Sequence, residues 1–125
     1  MDSDELKLRT KKFALRAIRV VESLPPSRTA DVIGKQLVRC GTSVGANYRS
    51  ACRAKSQADF IAKMAIVEEG ADESIYWMEL LVESDLVRKE LLENLKDEAD
   101  QLVAIMVSSI NTARGHKRNE KGPNR

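Results

Sequence analysis

The chain has little of several things, and each shortage excludes something. Aromatic residues make up 4%, with Phe 2, Tyr 2 and Trp 1. That leaves little for a base-stacking platform of the kind sheet-based RNA binders use. Six glycines and three prolines in 125 residues are too few for the many turns of an all-β sandwich. No apolar run approaches the ~18 residues of a membrane-spanning helix. Met1-Asp2-Ser3-Asp4-Glu5 is acidic and lacks the apolar segment of a secretory leader. There are two cysteines, Cys40 and Cys52, both within one helical stretch. Their spacing places them ~18 Å apart along a helix axis, beyond the ~7 Å reach of a disulfide. They read as reduced, small, partly buried side chains, and the expected compartment is the cytoplasm.

Histidine is scarcer still, with His116 alone and near the end of the chain. Ser43 and Cys40 therefore have no partner histidine for nucleophilic catalysis. Di-iron bundles need Glu-x-x-His from two helices, and a zinc site needs four ligands in close pairs. Neither pattern occurs, and no glycine-rich phosphate loop is present. The expectation is a chain with no catalytic residue, no metal and no cofactor, and so not an enzyme.

What is present is a charge pattern and a helical periodicity. The net charge of +2 hides a strong segregation. Residues 1–55 carry 12 Lys/Arg against 5 Asp/Glu, a net of +7. Residues 56–112 carry 4 against 13, a net of −9, and residues 113–125 carry 5 against 1, a net of +4. The two halves should attract each other, or the opposite half of another copy.

Apolar residues recur at helical spacing in four stretches. A first helix is expected over residues 4–23, with Leu6, Phe13, Ala17, Val21 and Leu24 inward. Pro25-Pro26 ends it, and Ser27 or Thr29 can cap a second helix over residues 30–53. The inward set there is Ile33, Leu37, Cys40, Val44, Asn47, Tyr48 and Ala51. Ser56-Gln57-Ala58-Asp59 resembles a capping box opening a third helix, with Phe60, Met64, Val67, Ala71, Ile75, Met78 and Val82 on one face. A fourth is expected over residues 88–113, with Leu92, Leu95, Ala99, Leu102, Val103, Met106 and Ile110 inward. With short links, these predict an all-α, up-down-up-down antiparallel four-helix bundle over residues 1–113, followed by a basic, disordered tail over 114–125.

Two features point to more than one copy. Ile66, Trp77 and Leu80 form a second apolar stripe on the third helix, roughly opposite Phe60 and Met64. Gly34, Gly41, Gly45 and Cys52 form a stripe of small residues on the second helix. Each helical glycine costs ~1 kcal/mol, so a helix approaches closely there. That helix belongs either to the same bundle or to another subunit. Ile66, Trp77, Leu80, Gly41 and Gly45 are the candidate interface residues.

The candidate functional feature is a set of basic stripes. Arg9, Lys12, Arg16 and Arg19 fall within about 80° on the first helix, and Lys35, Arg39, Arg49 and Arg53 within a similar arc on the second. Arginine dominates this set, and its planar fork suits bidentate phosphate contact. The stripes read as a sequence-independent phosphate footprint, or as a solvated face paired with a neighbour's acidic half. Glu68 reads as a buried carboxylate facing Arg39 or Asn47. Glu69, Asp72 and Glu73 could accept basic residues of an adjacent subunit.

The run Arg39-Cys40-Gly41-Thr42-Ser43-Val44-Gly45-Ala46-Asn47-Tyr48-Arg49, followed by Asp59-Phe60-Ile61-Ala62-Lys63 and Glu73-Ser74-Ile75-Tyr76-Trp77, resembles a known bacterial family. Its members are named for open reading frames inside intervening sequences of large-subunit ribosomal RNA genes. The resemblance implies a four-helix bundle assembled as a ring-like homopentamer, with no known catalytic activity. A related branch is the accessory variability determinant proteins of diversity-generating retroelements. It implies binding of RNA and a reverse transcriptase through a basic outer surface. Where the family often carries an acidic residue and glycine after the Asn segment, this chain has Ser50-Ala51. Together these readings predict an oligomeric binder of nucleic acid, RNA rather than DNA. The alternative is a scaffold or adaptor for a protein such as a reverse transcriptase.

Overall fold

The computed structural model describes the backbone of residues 1–120 and the side chains of residues 1–115. It contains four helices: α1 (Ser3–Glu22), α2 (Arg28–Cys52), α3 (Gln57–Glu83) and α4 (Lys89–Glu120). Each of the first three opens on a side-chain cap. Asp2 Oδ1 accepts the Glu5 N–H at 2.8 Å, Ser27 Oγ that of Ala30 at 2.9 Å, and Ser56 Oγ that of Asp59 at 3.0 Å. Such caps contribute about 1 kcal/mol each. The capping box at Ser56 is modified, because the Asp59 carboxylate takes the N–H of Lys55, one residue earlier. That bond, with the Lys63 ammonium, holds the Asp59 carboxyl below its ordinary range.

Consecutive helices run antiparallel. On α2, Gly34 lies against Val21 of α1 and Leu24 just beyond it, Gly41 against Ala17, and Gly45 against Thr10, so the α1 register falls as α2 rises. Gly70 of α3 lies against Cys40 and Ser43, and Gln57 at the start of α3 donates to the carbonyl of Ala113 late in α4. The helices pack α1 on α2, α2 on α3 and α3 on α4, while α1 and α4 touch least. The fully buried centre holds Phe13, Leu37, Val44, Met64, Val67, Met78, Leu81, Leu92, Leu102 and Met106. Each large side chain there contributes roughly 1.5–3 kcal/mol of transfer free energy.

Three expectations change, and one open alternative is decided. On α3 the buried face is turned toward α2, because Ser74 and Leu81 are buried while Phe60, Ile75 and Val82 sit at the core's edge. Apolar residues on that helix spread well beyond one face, so its periodicity could not fix a single face. The stripe Gly41 and Gly45 serves the α1–α2 contact inside one chain, since their nearest neighbours are α1 atoms. Cys40 is buried but Cys52 is exposed at the last residue of α2. Finally, α4 continues past Ala113 to Glu120, because Gly115 alone costs ~1 kcal/mol and does not stop a helix. The rest of the expected tail, residues 121–125, lies outside the described residues. Among the described residues, no helix is long and apolar enough to cross a membrane.

The α3–α4 turn carries the one positive φ among described non-glycine residues, 62° at Asp85. The Leu86 N–H donates to Leu81 O and the Asp85 N–H to Val82 O, the bond pair of a Schellman cap. Asp occupies the left-handed position that glycine fills without a Cβ penalty.

Three outcomes follow. Asp85→Gly should raise stability by about 0.5–1 kcal/mol, read as a higher thermal midpoint. Gly70→Ala should lower it despite the better helix former. A Cβ there would stand 2.7 Å from Ser43 Oγ and 3.2 Å from the Cys40 carbonyl, and such overpacking costs ~1–3 kcal/mol. Burial pushes the Cys40 thiol above its ordinary pKa. A thiol reagent at neutral pH should therefore titrate one cysteine, Cys52, in the native protein and two after denaturation.

Candidate nucleic-acid interface

The eight predicted cations do not converge on one surface. Arg9 turns inward across the thin α1–α4 seam. Its Nε lies 2.6 Å and its Nη2 2.9 Å from the two Glu98 carboxylate oxygens, and Nη2 also donates to Gln101 at 2.6 Å. The pair is only 23% and 17% exposed, and Glu98 holds the guanidinium protonated beyond its ordinary range. Arg9 thus fastens α1 to α4, which share few other contacts. Arg39 reaches Glu73 at 2.7 Å and Gln36 at 2.9 Å, on a more exposed part of the α2–α3 face. Glu73, not Glu68, is the partner of Arg39, and Asn47 donates to Ser43 O on its own helix. Both guanidiniums therefore spend donors on carboxylates of their own chain.

Lys35 lines a cleft at the Pro25-Pro26 end of the molecule with Glu22, Asp31 and Arg39. Lys12, Arg16 and Arg19 stay on the outer side of α1, and they make no ion pair among the described residues.

Arg49 and Arg53 are the two that enter a concave, basic site. A cleft of 490 Å³ is lined by Lys7, Ala46, Arg49, Ser50, Arg53 and Lys63. It adjoins a groove of 410 Å³ lined by Lys7, Leu8, Lys11, Ala14, Thr42, Gly45, Ala46 and Arg49. The two share Lys7, Ala46 and Arg49, so a single basic trough runs along the outside of the α1–α2 pair. No carboxylate lines either part. Lys63 is tied at 3.1 Å to Asp59, one turn back on α3.

Local structure builds this trough. Antiparallel pairing brings the start of α1, with Lys7 and Lys11, beside the end of α2, with Arg49 and Arg53. Each pair is spaced i, i+4 and so shares one helix face. Gly45 and Ala46 form a floor without bulk, which leaves the cations as walls. Lys7, Lys11 and Lys63 were not among the predicted site residues. Their signal was the spacing Lys7–Lys11 matched to Arg49–Arg53, visible only once α1 and α2 are set antiparallel.

The opposite side of the molecule is acidic. A cleft between α3 and α4 is lined by Glu79, Glu83, Glu93 and Asp97 with Lys89 and Lys96, and Lys96 lies 3.6 Å from Glu79. No group of three or more His, Cys, Asp or Glu residues could hold a metal ion among the described residues. Of the other predicted residues, Ile66 is 46% exposed, whereas Trp77 and Leu80 are half-buried against the edge of the core. Trp77 meets Tyr76 edge-on with ring centroids 5.1 Å apart and donates to Glu73 at 3.3 Å.

Comparison with known proteins places this geometry. No curated protein matches the chain. A solved structure from Bacteroides thetaiotaomicron, described as a protein with unknown function from the S23 ribosomal protein family, is 33% identical. It superimposes with a TM-score of 0.82, covering 89% of this chain and 99% of that one. The family model described as 23S rRNA-intervening sequence protein matches residues 5–108, a span that runs from α1 into α4. Sequence, helix order and superposition agree, and the chain belongs to the 23S rRNA-intervening sequence protein family.

Proposed function

We propose that this protein binds nucleic acid, RNA in preference to DNA, through the basic trough between α1 and α2. It does so as a homo-oligomer, a pentamer on the family resemblance, and carries out no chemistry of its own. The supporting observation is the trough itself: Lys7, Lys11, Arg49, Arg53 and Lys63 line it and no carboxylate does. Like charges held together repel, and a polyanion relieves that repulsion while releasing its condensed counterions. None of the five aromatic residues lines the trough: Phe13 and Tyr48 are buried, Phe60 packs half-buried against the core, and Tyr76 and Trp77 lie further along α3. Contact is therefore with phosphates rather than stacked bases, and sequence is not read. One trough engages few phosphates, and several copies in one assembly raise the avidity without new contacts. The preference for RNA rests on the family's name alone.

A protein scaffold is the second reading, favoured by the exposed Ile66 and Tyr76 on α3. Its partner would be an acidic protein or an enzyme such as a reverse transcriptase.

Binding of an RNA duplex across a salt series separates the two. The trough predicts that log affinity falls against log salt with a slope of roughly −2 to −4 per protomer. Arg49→Glu with Arg53→Glu should weaken binding at least about tenfold at low salt and flatten the slope by roughly 2. Arg39→Glu should change it far less, because that guanidinium already serves Glu73. A shallow response that the double variant leaves unchanged would favour the scaffold.

A further inference from the structure

The outer faces of α1 and α3 carry matching features of opposite sign. Leu8, Leu15 and Ile18 are exposed on α1, Leu8 at 54%. Beside them stand Lys12, Arg16 and Arg19, and residues 8–19 contain no acidic residue. Ile66 and Tyr76 are exposed on α3, at 46% and 53%, with Trp77 and Leu80 half-buried beside them. Between residues 66 and 80 stand Glu68, Glu69, Asp72, Glu73 and Glu79, with no cation. Leu8 to Ile18 and Ile66 to Tyr76 each span ten residues, ~15 Å of helix. Exposed apolar residues this regularly placed, ringed by charge, mark interaction surfaces.

The two faces cannot meet within one chain. α1 packs on α2 and α4, and α3 packs on the same two helices, so α1 and α3 stand diagonally and turn outward in different directions. Pairing like with like sets cations on cations, or carboxylates on carboxylates, which costs several kcal/mol.

We infer that the outer face of α1 in one copy docks on the outer face of α3 in the next, apolar residues between and opposite charges around them. This rests on the oligomeric part of the proposed function and names its contact. Because the two surfaces differ, the contact is heterologous, and repeated from copy to copy it generates a ring or an open filament, never a two-fold dimer. It also sorts the cations. Lys12, Arg16 and Arg19 belong to the subunit contact. Lys7, Lys11, Arg49 and Arg53 stay in the trough, where Leu8 is the one exposed large apolar side chain in the lining.

The test is assembly size by light scattering and sedimentation of the full chain, with helicity monitored by circular dichroism. One variant combines Lys12→Glu and Arg19→Glu, and another combines Glu69→Lys and Asp72→Lys. All four positions are exposed, so helicity should hold. Each variant alone should associate at least about tenfold more weakly than the parent. An equimolar mixture, and the chain carrying all four changes, should both recover assembly. Variants that assemble as the parent does would overturn this face assignment and leave the oligomeric reading standing. Weakened variants that fail to recover when combined would overturn it equally. A parent that is monomeric at about 100 μM would overturn both.

Discussion

Close approach along both flanks of α2 is the constraint on which the rest depends. On one flank Gly34, Gly41 and Gly45 let α1 come within van der Waals distance. On the other, Gly70 admits Ser43 and the Cys40 carbonyl, and Ser74 donates to its own helix at Gly70 O. These seams contain almost no bulk, so they fix distance and register instead of merely filling space. Register is what creates the trough. With Gly45 set against Thr10, Lys7 falls beside Arg49 and Arg53. A slip of one turn would move Lys7 ~5 Å along the trough and break the cluster.

The charge segregation gains its meaning from the same geometry. Among the described residues two ion pairs cross between the basic and acidic halves: Arg9–Glu98 and Arg39–Glu73. The first closes the open side of the bundle and is partly shielded from water. The second is exposed, where an ion pair contributes little. The other cations of residues 1–55 make no ion pair among the described residues, although the acidic half holds more than enough carboxylates. The fold places α1 diagonal to α3, so the most basic and the most acidic helix faces are kept apart. Folding thus leaves the molecule with two oppositely charged sides rather than a mixed surface.

Much of this was legible in the sequence. Helix number, order and most inward residues followed from periodicity, because Leu6, Phe13, Leu37, Val44, Leu92, Leu102 and Met106 repeat at helical spacing on otherwise polar helices. The face of α3 was not legible, since Ile61, Ile66, Ile75, Trp77 and Leu80 surround it with apolar residues. The small-residue stripe on α2 announced a close neighbour but could not say whether that neighbour was α1 or another chain. Arg9 and Arg39 looked like their stripe-mates because pairing depends on which carboxylate the fold brings near. Glu98 is 89 positions from Arg9 in the chain, and no local pattern carries that. Lys7 and Lys11 were hidden for the converse reason, because their partners Arg49 and Arg53 lie on another helix.

A cluster of unpaired cations at the junction of two helix ends works against the fold. Arg49 lies in the last turn of α2, where positive charge suits the helix dipole. Lys7, however, sits near the start of α1, where Asp4 and Glu5 supply the favourable charge and a cation opposes it. No carboxylate lines the trough where Lys7 meets Arg49 and Arg53, whereas Arg9, two residues on, is given a bidentate partner. The same helix therefore treats neighbouring cations oppositely, neutralising the one that must bridge to α4 and leaving the trough charged. Breaks in local consistency of this kind mark functional sites, and under the proposed function a phosphate backbone neutralises these cations.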